Sequence, residues 1–317
     1  MRFWTTIKDR LFGGDGEEGL TVLAYHRIGD RAATRYDPWV FTADQEQLEE
    51  QVSYFRSNHR IVGLQEALAI ASGEEKRGGR AILMTFDDGY LDNYEVGLPV
   101  LKALDVEAVF FLATSFLAGD TLAWWDRIAW LVKTANEPRF RLPVAGAVQE
   151  LDLSQMSQAD AIKEVLELYK ACRPEDVPVV MEGLESAPRD RADPEPERIF
   201  LGPQEARELC KAGMRVGSHT HSHRILAQID PQEQLNELRQ SRSILEHETG
   251  STVDVLAYPV GGHGHFTRVT QALTRNCGYR AAFSCHGGDN LPGRSNLYDI
   301  KRVPVFWGAR PEWLLGA

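Results

Sequence analysis

The sequence predicts an α/β fold in which parallel strands alternate with helices and close into a distorted (β/α) barrel. Short, continuously apolar runs recur along the 317-residue chain, as is typical of strands that are buried on both faces. Amphipathic stretches with helical spacing lie between these runs. Aspartate and histidine residues directly follow several of the runs, which is where parallel barrels place their functional sites.

The predicted strands are apolar over most of their length. The run Ala108-Val109-Phe110-Phe111 is too continuously apolar to be a half-exposed strand, so we expect it to be buried on both sides. The full set of predicted strands is 21–25, 81–85, 106–112, 214–216, 253–257, 280–283 and 300–305.

Two stretches between the predicted strands have clear helical periodicity. Residues 45–55 carry their apolar side chains on one stripe and follow a residue suited to capping, Thr42. Residues 232–247 carry a stripe of leucines at similar spacing. Both stretches are therefore predicted to pack as helices against the sheet.

The rhythm of strands and helices is interrupted between residues 120 and 200. This interval contains the aromatic segment Trp124-Trp125-Asp126, a predicted hairpin around 140–153 and two predicted helices. It ends in an acidic, proline-rich run, 188–197. We therefore predict an N-terminal tail, 1–19, and one domain over 20–317 with a mainly helical insertion at about 120–200.

Composition excludes several classes of partner. The net charge of −11 argues against nucleic acid as the main ligand. No apolar run approaches the roughly 20 residues that span a bilayer. The first 20 residues lack the apolar core of a signal peptide, so we expect a cytoplasmic protein. A short amphipathic anchor made by Phe3, Trp4, Ile7 and Leu11 would allow peripheral membrane association.

The four cysteines, Cys172, Cys210, Cys277 and Cys285, have neither CxxC spacing nor the spacing of a zinc ribbon. Thiols without such spacing are usually buried or incidental in a reducing compartment. We expect them to be free.

Two adjacent carboxylates follow the predicted strand 81–85. Asp87 and Asp88 precede Gly89, so they stand where a buried strand passes into a glycine-containing loop. A carboxylate near an apolar run must be paired, hydrogen-bonded or bound to a metal, because burying it alone is very costly. Taken alone, the pair could also be an ordinary acidic turn.

Two histidines follow the predicted strand 214–216. His219 and His223 are four residues apart, a spacing that puts both on one face of a helical turn. Two histidines and one aspartate form a set of ligands that leaves coordination positions open for water and substrate. The pattern indicates metal-assisted hydrolysis with a second aspartate available as a base; a solvated, histidine-rich turn is the alternative. His221, between the two, receives no role.

The TFDDG segment at 85–89 and the HTHSH segment at 219–223 resemble the first two motifs of the polysaccharide deacetylases with the NodB homology fold, carbohydrate esterase family 4. The resemblance implies a barrel of the NodB type. It also implies that Asp87 is the general base and that a divalent metal, zinc above all but also cobalt, nickel or iron, is bound by Asp88, His219 and His223. The tryptophan-rich segment at 124–126 is similar to one found in related deacetylases.

The early segment Leu23-Ala24-Tyr25-His26-Arg27-Ile28 resembles a motif of the poly-N-acetylglucosamine deacetylase branch, in which the order of motifs is circularly permuted. The resemblance implies that His26 is the general acid. On the residues alone, a single histidine after a strand is more often a hydrogen-bonded core residue.

The segment that should hold the third motif departs from the family pattern. It contains Tyr258 and Pro259 after the predicted strand 253–257, where the family usually has an arginine that braces the base. Tyr258 could line the site and offer a backbone N–H to an oxyanion. Arg302 is the candidate substitute for the missing arginine; a surface arginine on an edge strand is an equal alternative.

Together these patterns predict a metal-dependent hydrolase that removes N-acetyl groups from glycans containing N-acetylhexosamine, as in exopolysaccharide pathways. Two alternatives remain. A non-haem iron oxygenase uses the same types of ligand but has no evident use for the second aspartate. A carbohydrate-binding protein with an inactive site would not need the complete set of site residues.

Overall fold

Strands and helices alternate in the structure much as the sequence predicts. The structure is a computed structural model, and it describes residues 19–75, 78–119, 121–144, 147–190 and 197–315. The strands are, in chain order, β1 (Gly19–Tyr25), β2 (Arg27–Ile28), β3 (Phe41–Ala43), β4 (Arg60–Ile61), β5 (Arg80–Phe86), β6 (Ala108–Leu112), β7 (Arg139–Val144), β8 (Ala147–Asp152), β9 (Arg215–Ser218), β10 (Val255–Ala257), β11 (Ala281–Phe283) and β12 (Arg302–Pro304).

Helices follow most of these strands. The α-helices are α1 (Gln45–Asn58), α2 (Leu64–Ser72), α3 (Leu98–Ala103), α4 (Trp124–Thr134), α5 (Gln158–Ala171), α6 (Val177–Glu185), α7 (Pro203–Lys211), α8 (Pro231–Thr249) and α9 (Arg268–Asn276). One π-helical turn, Asn93–Gly97, leads directly into α3.

The main sheet is parallel throughout and nearly closes on itself. Its strand order is β11-β10-β9-β6-β5-β1-β12, with β4 beside β5. The two ends of this series meet through a parallel bridge between Phe283 and Ile300, supported by a hydrogen bond of 2.9 Å from the Ile300 N–H to the Ala282 carbonyl. The predicted α/β barrel is therefore confirmed.

Side chains alternate between the inside and the outside of this barrel, as the strand period requires. Leu20 and Val22 of β1 belong to the interior cluster, whereas Leu23 and Tyr25 belong to an outer cluster that includes apolar side chains of α1 and α8. Burial on both faces explains why these strands read as continuous apolar runs.

Helix α2 covers the end of the barrel where the strands begin. The Leu64 N–H donates to the side chain of Glu107, just before β6, and Gln65 accepts a hydrogen bond from Arg280, just before β11. The apolar side of α2 completes the interior cluster. The opposite end, where the strands terminate, is the one available for a functional site.

The cap of α1 differs from the prediction. The N-cap is Asp44, which forms a capping box with Gln47, and Thr42 lies in β3. The sequence-based assignment of Thr42 as the cap was therefore wrong, because an aspartate directly before the helix supplies the acceptor.

The chain divides into two compact units. The first contains the barrel, and the second combines residues 30–40 with the described residues between 120 and 197. Within the second unit, β7 and β8 form the predicted antiparallel hairpin. Three α-helices (α4, α5 and α6) take the place of the two predicted ones.

Several predictions concern residues beyond the described ranges. The proposed anchor residues, Phe3, Trp4, Ile7 and Leu11, lie outside them, as does most of the acidic run at 188–197. Within the predicted tail, only Gly19 is described, and it begins β1. Among the helices that the structure describes, none has the length and apolar character needed to cross a membrane. The cytoplasmic location stays a prediction.

Candidate active site

The two aspartates of the TFDDG segment lie at the open end of the barrel. They directly follow β5, and Asp88 and Gly89 both have left-handed backbone, with φ of 72° and 82°. A non-glycine residue in this region is strained and usually persists only where the surroundings hold it. Both carboxylates are almost completely buried.

Asp88 meets the two predicted histidine ligands at the end of β9. Its Oδ1 lies 3.4 Å from Nε2 of His219 and 3.2 Å from Nε2 of His223, and these two nitrogens are 3.2 Å apart. Ligand bonds of about 2.0–2.1 Å to a tetrahedral metal give ligand–ligand separations of about 3.3 Å. The three atoms thus form a triangle of the size that a tetrahedral ion requires.

The surroundings of this triangle also suit a cation. Nδ1 of His219 donates to the Ala257 carbonyl at 2.8 Å, which leaves the Nε2 lone pair facing Asp88. Oδ1 of Asp88 is buried and has no hydrogen-bond partner among the described residues. Burial raises the pKa of Asp88, but the neighbouring histidines outweigh it, so the pKa lies far below its usual value. The site therefore fits a divalent metal, although the oxygen–nitrogen donor set does not select one element.

The two histidines converge by a different route from the one predicted. Residues 219–225 form a loop and not a helical turn, with φ of 65° at Thr220 and 56° at His223. The loop is held by Glu237 of α8, whose Oε2 accepts the N–H groups of His221 and Ser222 at 2.8 Å each. The two histidines converge because the left-handed residues turn the loop back on itself. The prediction of a helical turn was therefore wrong. Glu237 gave no sequence signal beyond its place on a helix.

Asp87 makes a two-pronged ion pair with Arg302 of β12. The guanidinium nitrogens Nη1 and Nη2 donate to Oδ1 and Oδ2 of Asp87 at 2.6 and 2.8 Å. Arg302 is completely buried and also donates to Thr85 Oγ1 and to the Ser284 carbonyl. The alternative of a surface arginine is therefore wrong. Burial raises the pKa of Asp87, but the Arg302 guanidinium and the neighbouring histidines together outweigh this and hold the pKa below its usual value.

His26 lies beside the same carboxylate, just beyond β1. Its Nε2 is 4.0 Å from Oδ2 of Asp87, and 28% of its side chain is exposed. The same Oδ2 is 3.8 Å from Nε2 of His219. The residues predicted as base, acid and metal ligands therefore lie in one site.

Tyr258 does not contribute to this site in the way the sequence suggested. The Tyr258 N–H donates to the Phe283 carbonyl at 3.0 Å, and its hydroxyl donates to the Tyr298 carbonyl at 3.0 Å. Its ring stacks on Phe266 in the outer cluster. Pro259 has no N–H to donate. The suggestion that Tyr258 offers its backbone N–H to an oxyanion was wrong, because that group is used in the sheet.

Comparisons with known proteins bear on the family and the fold of this chain. A sequence model of the polysaccharide deacetylase family matches residues 74–282. YxkH of Bacillus subtilis (strain 168), which is named as a polysaccharide deacetylase, is 19% identical over 286 residues, covering 90% of this chain and 71% of YxkH.

Solved structures share the fold. IcaB from Ammonifex degensii is 19% identical with a TM-score of 0.61, covering 95% of this chain and 97% of that one. The Streptococcus pyogenes deacetylase PplD, in complex with acetate, is 17% identical with a TM-score of 0.60, covering 94% and 96%. A de-N-acetylase from Aggregatibacter actinomycetemcomitans is 16% identical with a TM-score of 0.53, covering 90% and 94%. Because the family model covers more than half of the residues, this chain belongs to the polysaccharide deacetylase family.

Proposed function

We propose that this protein is a metal-dependent hydrolase that removes N-acetyl groups from glycans containing N-acetylhexosamine. One observation carries the proposal: a buried carboxylate braced by an arginine lies 3.8 Å from one of the three metal-ligand residues and 4.0 Å from a partly exposed histidine. Amide hydrolysis needs a base for water, a group that polarises the carbonyl and an acid for the departing amine. Each of these needs has a candidate here.

Asp88, His219 and His223 would hold the metal ion. Two imidazoles and one carboxylate form the three-ligand set of many catalytic zinc sites, and cobalt, nickel and iron accept the same donors. When bound, a divalent ion would polarise the acetyl carbonyl and lower the pKa of the attacking water. The lower pKa is needed because a carboxylate as weakly basic as Asp87 cannot deprotonate ordinary water.

Asp87 would take the proton of the attacking water. Both of its oxygens are held by Arg302, so the carboxylate has one orientation and stays ionised. Its Oδ2 faces both His219 and His26 and is the oxygen placed to receive the proton.

His26 would protonate the leaving nitrogen. Its Nε2 lies 4.0 Å from Asp87 Oδ2, and its side chain is 28% exposed, so it is open enough to exchange protons with solvent. An alkoxide can leave without much help, but an amine must be protonated as it departs. An acid beside the base therefore favours N-acetyl over O-acetyl substrates, and the structurally similar protein from Aggregatibacter actinomycetemcomitans is described as a de-N-acetylase.

The two alternatives fit these observations less well. An iron oxygenase has no evident use for a braced carboxylate next to its ligands. A binding protein with an inactive site has no reason to keep Arg302 buried against Asp87, since burying an ion pair has a substantial desolvation cost.

Acetate release provides the test. The protein, freed of metal and then reloaded with zinc, would be incubated with N-acetylglucosamine oligomers, with O-acetylated glycans and with lipid- or nucleotide-linked N-acetyl sugars. We expect acetate from N-acetylated substrates only after metal is restored, and none from an Asp87→Asn variant. Acetate from O-acetyl groups alone would contradict the assignment of the substrate, and turnover by the metal-free protein would contradict the mechanism.

A further inference from the structure

The backbone around His26 is held from both sides by a pair of residues that follow the TFDDG segment. Asp92 and Asn93 lie four and five residues after Asp88, where the π-helical turn begins. Such turns are rare and occur often at functional sites. Neither residue contacts the metal-ligand triangle in any described interaction, so their contacts require a separate explanation.

Asn93 holds the carbonyl of His26. Its Nδ2 donates to that carbonyl at 2.7 Å and to Oδ1 of Asp92 at 3.0 Å. Because both partners can only accept, the orientation of the amide is determined. Its Oδ1 is buried and has no hydrogen-bond partner among the described residues. A buried, unsatisfied amide oxygen is unfavourable. The hydrogen bonds that Nδ2 of Asn93 donates must therefore outweigh the cost of leaving its Oδ1 without a partner.

Asp92 holds the other side of the same segment. Its Oδ1 accepts the N–H of Ile28 at 3.0 Å, and its Oδ2 accepts Nε of Arg27 at 2.8 Å. The Arg27 guanidinium lies 4.3 Å from the ring centre of Phe41 and 4.8 Å from that of Tyr90, so its own position is restricted.

A third contact completes the restraint. The N–H of His26 donates to Oγ1 of Thr42 at 3.3 Å, and that hydroxyl donates to the Arg27 carbonyl. The backbone of His26 is therefore held at its N–H and its carbonyl, and the N–H of Ile28, two residues further on, is held as well.

We propose that Asp92 and Asn93 are positioning residues that hold His26 at its working distance from Asp87. The inference rests on the proposed function, in which His26 is the general acid. The segment that carries Asp87 and Asp88 continues directly into Asp92 and Asn93. One short stretch of chain therefore supplies the base and a metal ligand and also positions the acid. Displacing a catalytic group by about 1 Å can lower the rate by about 100-fold.

The test uses two substrates that differ in leaving group. An N-acetylglucosamine oligomer requires protonation of an amine, whereas 4-nitrophenyl acetate releases a good leaving group and requires little acid catalysis. For Asn93→Ala we expect kcat on the amide to fall about 10–100-fold, with bound zinc unchanged and the ester rate within about threefold of the parent. Retained metal and ester turnover show that the rest of the site is folded.

His26→Ala and the double variant separate this inference from the function on which it rests. If Asn93 acts through His26, the double variant His26→Ala/Asn93→Ala should be no slower on the amide than His26→Ala alone. The matched control is Asn58→Ala, which removes an exposed asparagine whose Nδ2 also donates to a backbone carbonyl, that of Tyr54. It should leave both rates unchanged.

The outcomes are distinct. An unchanged amide rate in Asn93→Ala, an equal loss on both substrates, or fully additive losses in the double variant would overturn the positioning role while leaving the proposed function intact. A His26→Ala variant with normal amide turnover would overturn the role of His26 and the positioning role with it. If Asn93→Ala does not fold, Asp92→Asn replaces it, since it keeps an acceptor for the Ile28 N–H and removes the charge that holds Arg27; the same amide-specific loss supports the proposal, and its absence overturns it.

Discussion

Replacing Arg302 by methionine should destabilise the protein as well as inactivate it. The substitution keeps most of the volume of the side chain but leaves Asp87 as a buried carboxylate without its partner. Breaking a buried ion pair from one side costs about 3–5 kcal/mol. For a chain of 317 residues, this corresponds to a fall in Tm of about 5–8 °C.

Urea unfolding and thermal melts of the metal-free protein would measure this loss. The control is Arg280→Met. The Arg280 side chain is 56% exposed and pairs with Asp254, so we expect its removal to lower the free energy of unfolding by less than about 1 kcal/mol. In an Asp87→Asn background the penalty of Arg302→Met should shrink markedly, because no carboxylate is then left unpaired. Equal losses for Arg302→Met and Arg280→Met, or the same loss with and without Asp87, would refute the reasoning.

Three further changes have specific expected outcomes. His219→Ala should lose both bound zinc and activity, and full metal content by elemental analysis would remove His219 from the site. Asp87→Asn should keep its zinc and lose at least about 100-fold in kcat, since an amide cannot take the proton; turnover within a few-fold of the parent would exclude Asp87 as the base. Burial raises the pKa of Asp37 to about 6, despite nearby lysine and arginine charges, so stability falls as pH rises from about 4 to about 6 and is not regained above that pH. Asp37→Asn should therefore stabilise the protein by about 3 kcal/mol at pH 8 in urea unfolding and by little at pH 4, where the aspartate is largely protonated in the folded state; equal effects at both pH values would contradict this.

The barrel could be predicted from the sequence because its strands carry their signal locally. The predicted strand 81–85 corresponds to β5, which the structure extends by one residue at each end, and burial on both faces accounts for its uninterrupted apolar character. Helices α7 and α9 were not predicted, because each is only nine residues long and contains few apolar residues.

The candidate site was predictable only where its residues are close together in sequence. Asp88, His219 and His223 belong to compact segments, and their convergence follows from the parallel strands that carry them. The partner of Asp87 could not be established in this way, since Arg302 is 215 residues away and its burial depends on closure of the barrel. The contacts of Tyr258 likewise depend on distant segments of the chain. The conformation of the loop at 219–225 depends on Glu237, and no local sequence pattern predicts that contact.

The central claim is that catalysis depends on an ion held by the Asp88, His219 and His223 triangle. The most direct measurement is the rate of acetate release from an N-acetylglucosamine oligomer as zinc is titrated into the metal-free protein, with zinc per chain determined in the same samples. The account predicts that the rate rises in proportion to occupancy, starts from zero and saturates at one ion per chain, and that Asp88→Asn removes both binding and turnover. A rate that is independent of zinc occupancy, or full turnover by Asp88→Asn, would contradict it.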